Sequence, residues 1–272
     1  MRHMHISIDN NAAGLTPRQL ILEMLDADPV MMTHGRRLIA AGGVFGFSEN
    51  QMRVALSRLL ADGLLMQPRR GDYALDGGAT SIQAETQRWQ KLESRLRRWR
   101  GDWCAVLTDN LAAEGSTRFR KQSRALAMRG MQRWRPGLWV RPNNLRGGVD
   151  ALSGELQALG LDAIRGHCVI ARGDAGCEEN LRSLWDCSQL QATYRQRIGE
   201  LHAASTRLDS PQFPAVLAES VELGGRCIRA LLRDPLLPDE LASGDSRREL
   251  AGLLKDYDRK GRRQWRQFIQ QL

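Results

Sequence analysis

Asn50, Gln51, Arg53, Val54, Ser57 and Arg58 fall within one short window of the chain. Amides, a hydroxyl and guanidinium groups are what base edges demand: an amide bonds adenine, a guanidinium forks onto guanine, and an aliphatic methyl meets thymine. Gln51, Arg53, Val54, Ser57 and Arg58 are therefore expected to face a major groove, with Asn50 near a phosphate. A few residues on, Pro68-Arg69-Arg70-Gly71-Asp72 puts two arginines at a turn. Arg69 and Arg70 are expected to hold phosphate oxygens, contacts that fix position rather than read sequence.

The surrounding residues supply the elements that position these groups. Ser48 is a good N-cap with Gln51 three residues on, and Met52, Leu56, Leu59 and Leu60 repeat at helical spacing. Gly63 suits a left-handed helix stop. Upstream, Thr16-Pro17 opens a helix carrying Leu20, Ile21, Met24 and Leu25, which Asp28-Pro29 ends. A second helix is expected over Thr33 to Ala41, closed by Gly42-Gly43. After Gly63, Leu64–Gln67 and Tyr73–Leu75 read as two strands of a hairpin. Residues 1–76 thus form a winged helix-turn-helix behind a mobile arm at residues 1–14.

The chain has 272 residues, 42% hydrophobic and 26% charged, enough for two or three domains with cores of their own. Its formal charge of +9 suggests a polyanionic partner. The excess is not in the reader: residues 1–76 hold 8 Lys+Arg and 8 Asp+Glu, residues 77–171 hold 16 against 8, and residues 172–272 hold 16 against 15. No secretory signal or spanning segment is read, so a cytoplasmic chain without a membrane partner is expected. Five scattered cysteines without CxxC spacing argue against a disulfide framework or a zinc site.

Gly77-Gly78-Ala79 marks a linker, and Ser81 to Arg98 reads as a basic helix, giving a linker helix over 77–100. Trp103–Leu107 reads as a buried strand, Thr117–Met128 as a basic helix, and Gly130–Trp134 and Leu138–Arg141 as strands about Arg135-Pro136-Gly137. Gly148–Leu159 reads as a helix and Ala163–Ala171 as a last strand. The order β-α-β-β-α-β predicts a ferredoxin-like domain over 101–172, serving dimerisation, a ligand or both. Residues 173–272 read as a mainly helical domain: Gly176–Trp185, Leu190–Leu208, Ala215–Leu232, Ser246–Tyr257 and a tail over Gln264–Leu272. The run Arg259-Lys260-Gly261-Arg262-Arg263 is expected to be a solvated surface. The fold class is α+β.

These residues resemble the phenylacetate-degradation repressors, the PaaX-type transcriptional regulators. The resemblance rests on Asn50 to Leu59 with Gly63-Leu64-Leu65, on Trp103, and on Gly137-Leu138-Trp139-Val140-Arg141-Pro142. It continues in Leu184-Trp185-Asp186, Tyr194 and Arg233-Asp234-Pro235-Leu236-Leu237-Pro238. It implies a winged helix, a central domain similar to the small CRISPR adaptation nuclease, and a helical C-terminal domain. It further implies a homodimer on a palindromic DNA operator, released by a CoA thioester, phenylacetyl-CoA or another acyl-CoA. After Pro238 the chain departs from the family pattern, with Glu240 to Ser246 in place of a Trp-Pro-Gly segment.

No nucleophile–base, HExxH, GxGxxG or Walker arrangement is present in the sequence. Neither an enzyme nor a resident cofactor or metal is expected. The alternatives are a metal-dependent nuclease acting through Asp109 and a winged-helix adaptor that holds a protein.

Overall fold

The computed structural model describes residues 14–31, 33–76, 88–108, 115–161, 168–209 and 214–272. Residues 1–13 of the arm expected over 1–14, the linker at 77–79, most of the basic helix before Arg88, Asp109 and the start of the last strand before Cys168 lie outside the described residues. The fold is mixed α+β, with two small antiparallel sheets and a helical C-terminal part. It divides into two units: residues 1–90, 196–229 and 249–272 form the first, and residues 91–195 and 230–248 the second. The helical region from residue 173 is thus shared between both units rather than standing alone.

In the first unit, α1 (Pro17–Ala27) starts at a capping box in which Thr16 and Gln19 satisfy each other's backbone. Its Leu20, Ile21, Met24 and Leu25 are buried. Helix α2 (Gly35–Val44) runs through Gly42-Gly43 instead of ending there. A Cβ on Gly42 would lie 2.5 Å from Met52 Cγ, so the glycine is what lets the next helix pack directly on α2. That helix, α3 (Glu49–Ala61), begins at a second capping box, Ser48 with Gln51. It ends in a Schellman motif, Leu64 N–H to Leu59 O and Gly63 N–H to Leu60 O, with Gly63 at φ 66°.

Strands β1 (Leu65–Arg69) and β2 (Asp72–Leu75) form an antiparallel hairpin with an irregularity between Met66 and Arg69, where Pro68 cannot donate to the ladder. The hairpin is tied to the start of α2: Gly35 N–H donates to Gly71 O at 2.8 Å and Tyr73 N–H to Thr33 O at 2.7 Å. Two later helices complete this core. Leu217 and Val221 come from α8 (Ala215–Leu232), and Trp265, Phe268 and Ile269 from α9 (Asp245–Gln271). Phe45 stacks on Trp265 with ring centroids 5.7 Å apart.

Helix α9 is continuous where two segments were expected, and Arg262 within it is no solvated surface residue. Its guanidinium donates to Asp26 at 3.1 Å and to Asp258 at 3.0 Å, with side-chain exposures of 16% for Arg262 and 2% for Asp26. The expected break fails because Gly261 lies mid-helix, where its cost is about 1 kcal/mol and packing on both sides overrides it.

Residues 88–100 lead into the second unit, which starts at Lys91, as two 3-10 turns, Arg88–Lys91 and Glu93–Arg95, followed by extended chain, rather than as the end of a linker helix. Leu92 and Trp99 are buried, and Leu96 bridges to Leu145, so tertiary pairing wins over helical propensity. The remainder alternates as β3 (Trp103–Leu107), α4 (Thr117–Ala127), β4 (Gln132–Arg135), β5 (Leu138–Pro142), α5 (Gly148–Ala158) and β6 (Cys168–Ala171). The sheet order is β4-β5-β3-β6, every neighbouring pair antiparallel. β3 is buried on both faces: Cys104 and Val106 join α4 and α5 residues, while Trp103 and Ala105 join Trp99, Leu181 and Trp185. Helix α6 (Ala175–Arg182) packs on that second side, and Glu178 accepts the Trp103 indole N–H at 2.7 Å.

Within the second unit, the Asp234–Pro238 run lies against Tyr194 of α7 (Cys187–Arg207) and against Arg141 and Asn144 at the end of β5. Leu236 sits at φ 52°, a left-handed conformation that costs a non-glycine residue about 1–2 kcal/mol. Asn144 Nδ2 donates to Leu236 O at 2.6 Å, and Arg141 donates to Pro235 O at 3.2 Å and Arg129 O at 2.5 Å. Burial lowers the Arg141 pKa to about 10. Tyr194 donates to Asp234, whose carboxyl burial pushes up, and Arg247 lies 3.7 Å away. Two runs that carry the family resemblance, those around Arg141 and Asp234, therefore meet in one buried clasp.

Candidate nucleic-acid interface

The face of α3 opposite its core stripe is solvent-exposed at Asn50, Gln51, Arg53, Val54, Ser57 and Arg58. Asn50, Val54 and Ser57 fall at i, i+4 and i+7 and form the central stripe. Arg53 flanks it on one side, Gln51 and Arg58 on the other. Val54 keeps 40% exposure with no core to fill, which leaves an aliphatic surface free among polar groups.

The structure gives these groups unequal freedom. Gln51 is engaged at the helix start, where its Oε1 accepts the Ser48 N–H at 2.8 Å. A glutamine holding a cap is a poor base reader, because leaving the cap exposes an orphan donor. Arg53 bonds Glu49 one turn earlier at 2.5 and 3.0 Å, both side chains more than 60% exposed. An exposed pair of this kind contributes about 0–1 kcal/mol, so Arg53 is parked rather than locked.

Arg53 and Ser57 line a cleft of about 870 Å³ together with His34, Arg36, Arg70 and Tyr73. Of the sequence-predicted residues the cleft joins Arg53, Ser57 and Arg70; Asn50, Gln51, Val54, Arg58 and Arg69 do not line it. Arg69 is exposed on β1 opposite Asp72. His34 and Arg36 were not singled out by sequence. Their signal was the Gly35-Arg36-Arg37 run at a helix start, where positive charge is unfavourable and asks for an anionic partner. His34 Nδ1 meets Asp72 Oδ1 at 2.9 Å, fastening the hairpin to α2.

The even charge count of residues 1–76 conceals a segregation. Glu23 and Asp26 are buried, Asp62 pairs with Arg18 at 2.6 Å, and Asp72 with His34. Among the described residues Arg36, Arg58, Arg69 and Arg70 have no carboxylate partner. The Glu23, Asp26, Asp62 and Asp72 carboxylates are withdrawn into the core or into pairs, and the α3–hairpin face is left cationic. Such a cleft suits an anionic polymer better than an apolar small molecule, whose pockets are lined by aliphatic and aromatic groups.

Among the described residues no three His, Cys, Asp or Glu side chains cluster as a metal site would need, and no helix is long and apolar enough to cross a membrane. Cys104 and Cys227 are buried, and burial pushes their thiols up to about 11 and about 12.

No family model matches the chain, and no curated protein matches it. Among solved structures it is similar to the uncharacterized protein Rv0674 from Mycobacterium tuberculosis, at a TM-score of 0.62 and 22% identity. The match covers 92% of this chain and 98% of that one. At that identity the likeness shows the fold alone.

Proposed function

We propose that the chain is a DNA-binding transcriptional repressor of the phenylacetate-degradation type, with α3 as its recognition helix. Helices α1–α3 and the β1–β2 hairpin then form a winged helix, the Thr33-His34 pairing with the hairpin serving as its third, minimal strand. The observation that carries the reading is the cationic cleft bordered by α2, α3 and the hairpin tip, stripped of free carboxylates. A helix of this exposure fits a major groove, and arginines at a hairpin tip fit the flanking backbone. The strand order β4-β5-β3-β6 supports a ferredoxin-like reading of the second unit, in which the order is 2-3-1-4 by local numbering. Homodimerisation on a palindrome and release by phenylacetyl-CoA or another acyl-CoA rest on the sequence resemblance.

The test is a gel shift of the purified chain against the DNA upstream of its own gene, with and without phenylacetyl-CoA. Binding that the thioester releases supports repressor and effector together. Binding that the thioester leaves untouched keeps the repressor and removes that effector. Absence of binding to any duplex overturns the reading.

A further inference from the structure

A second cationic surface lies in the other unit, on α4 and the neighbouring edge strand β4. Helix α4 reads TRFRKQSRALA and contains no acidic residue. Its Phe119, Gln122, Ala125 and Leu126 turn toward the core, and Arg118, Arg120, Lys121 and Arg124 are exposed. Arg120, Lys121 and Arg124 share one face, at spacings of three and four residues. Among the described residues none of these four basic groups has a carboxylate partner; Arg120 reaches only the Thr117 hydroxyl at 3.3 Å.

Other helices of this chain are built differently. Arg182 sits one turn from Glu178, Arg197 from Glu200, Arg226 from Glu222, Arg248 from Asp245 and Arg259 from Asp256. Like charges at i,i+3 and i,i+4 work against a helix, so α4 carries a local cost that its neighbours avoid. Beside it, the Arg133 guanidinium lies over the Phe119 ring at 5.7 Å and Arg135 over Trp134 at 4.5 Å. Stacking positions these two guanidiniums, and Arg135 is exposed at the end of β4.

We infer that the exposed face of α4, flanked by Arg135 of β4, binds the phosphate backbone of duplex DNA as a second, sequence-independent contact surface. The charge complementarity is direct. Side chains one turn apart stand about 5–6 Å from each other, and each DNA strand presents a negative charge about every 3.4 Å of axis. Arg118, Arg120, Lys121 and Arg124 also supply four of the sixteen basic residues of 77–171, the segment that holds the charge excess. The inference shares with the α3 reading only the nature of the ligand.

The experiment uses the full chain and a fluorescein-labelled 30-base-pair duplex of arbitrary sequence, followed by anisotropy between 50 and 200 mM NaCl. The triple variant R120A/K121A/R124A should lower the log Kobs against log[salt] slope by about 2.7, from ~0.9 per phosphate contact, and weaken binding at least tenfold. The R120K/R124K variant should bind like the parent, because it keeps the charges. All three positions are exposed and their mutual repulsion is relieved, so the melting temperature should be no lower than the parent's, which separates a binding effect from misfolding. An unchanged slope in the triple variant overturns the inference, as does a loss seen with single-stranded RNA but not with the duplex. Arg69→Ala with Arg70→Ala, which removes the backbone contacts expected at the hairpin tip, distinguishes the two surfaces when tested in parallel: if that pair has no effect on the arbitrary duplex while the α4 variant does, the winged-helix reading fails and this one stands.

Discussion

Replacing Arg262 by methionine removes the cation that neutralises Asp26 in the first unit while keeping much of the apolar stem. Asp26 is 2% exposed in its side chain and Arg262 16%, so the pair is far from the solvent-screened regime. Exposed pairs contribute about 0–1 kcal/mol, whereas breaking a buried pair from one side costs about 3–5 kcal/mol because a charge is left stranded. Arg262 retains some water contact and Asp258 is only 12% exposed beside it, so the expected loss is at the lower end, about 3 kcal/mol. That is a factor of roughly 10² in the folding equilibrium, at 1.4 kcal/mol per decade. Urea unfolding followed by tryptophan fluorescence, with Trp265 reporting from the same core, measures it. The double variant D26N/R262M should recover part of the loss, since the more deeply buried of the two charges, Asp26, is gone and only Asp258 is left unpaired. A loss below about 1 kcal/mol would refute the reasoning and return Arg262 to the class of surface pairs.

At the interface, Arg53→Ala should cost about 1–3 kcal/mol at a specific operator and relax its sequence preference. Arg70→Ala should instead weaken all duplexes alike and lower the salt slope by about one; anisotropy titrations with specific and arbitrary DNA compare the two. Gly130→Ala should destabilise the second unit by about 2–4 kcal/mol, because Gly130 is at φ 73° and a Cβ would lie 2.7 Å from the Pro235 backbone. A calorimetric melt within a degree of the parent would contradict that packing. Thiol titration with a disulfide reagent at pH 8 should leave Cys104 and Cys227 unmodified in the native chain, since burial raises both pKa values well above that pH. All five cysteines should react in guanidinium; rapid native labelling of either buried thiol would contradict its burial.

Where sequence and structure agree, the signal is local. Ser48 with Gln51, Thr16 with Gln19 and Gly63 after Leu60 mark helix ends because the capping atoms belong to residues three or four apart. The apolar run Trp103–Val106 marks a strand buried on both faces because side chains alternate across the sheet. Where they differ, a distant partner decides. Gly42-Gly43 reads as a stop until Met52 is seen against it, and residues 88–100 read as helix until Leu96 pairs with Leu145.

The candidate interface divides in the same way. The exposed face of α3 and the arginines at the hairpin tip follow from periodicity and turn chemistry, which any neighbouring residues express. The gathering of Arg36, Arg53 and Arg70 about one cleft does not, nor does the removal of Glu23 and Asp26 from the surface. Counting charges along residues 1–76 gives neutrality, and only burial separates the carboxylates from the arginines. The seating of α9 in the first unit's core is the extreme case. Asp26 and Arg262 are 236 residues apart, and a contact closed over that length leaves no period, cap or turn in the chain to announce it. What the sequence determined was the elements whose caps and periods are local, with their exposed chemistry; which segments depart from that local reading, which elements share a core, and which charges survive at the surface was decided by packing.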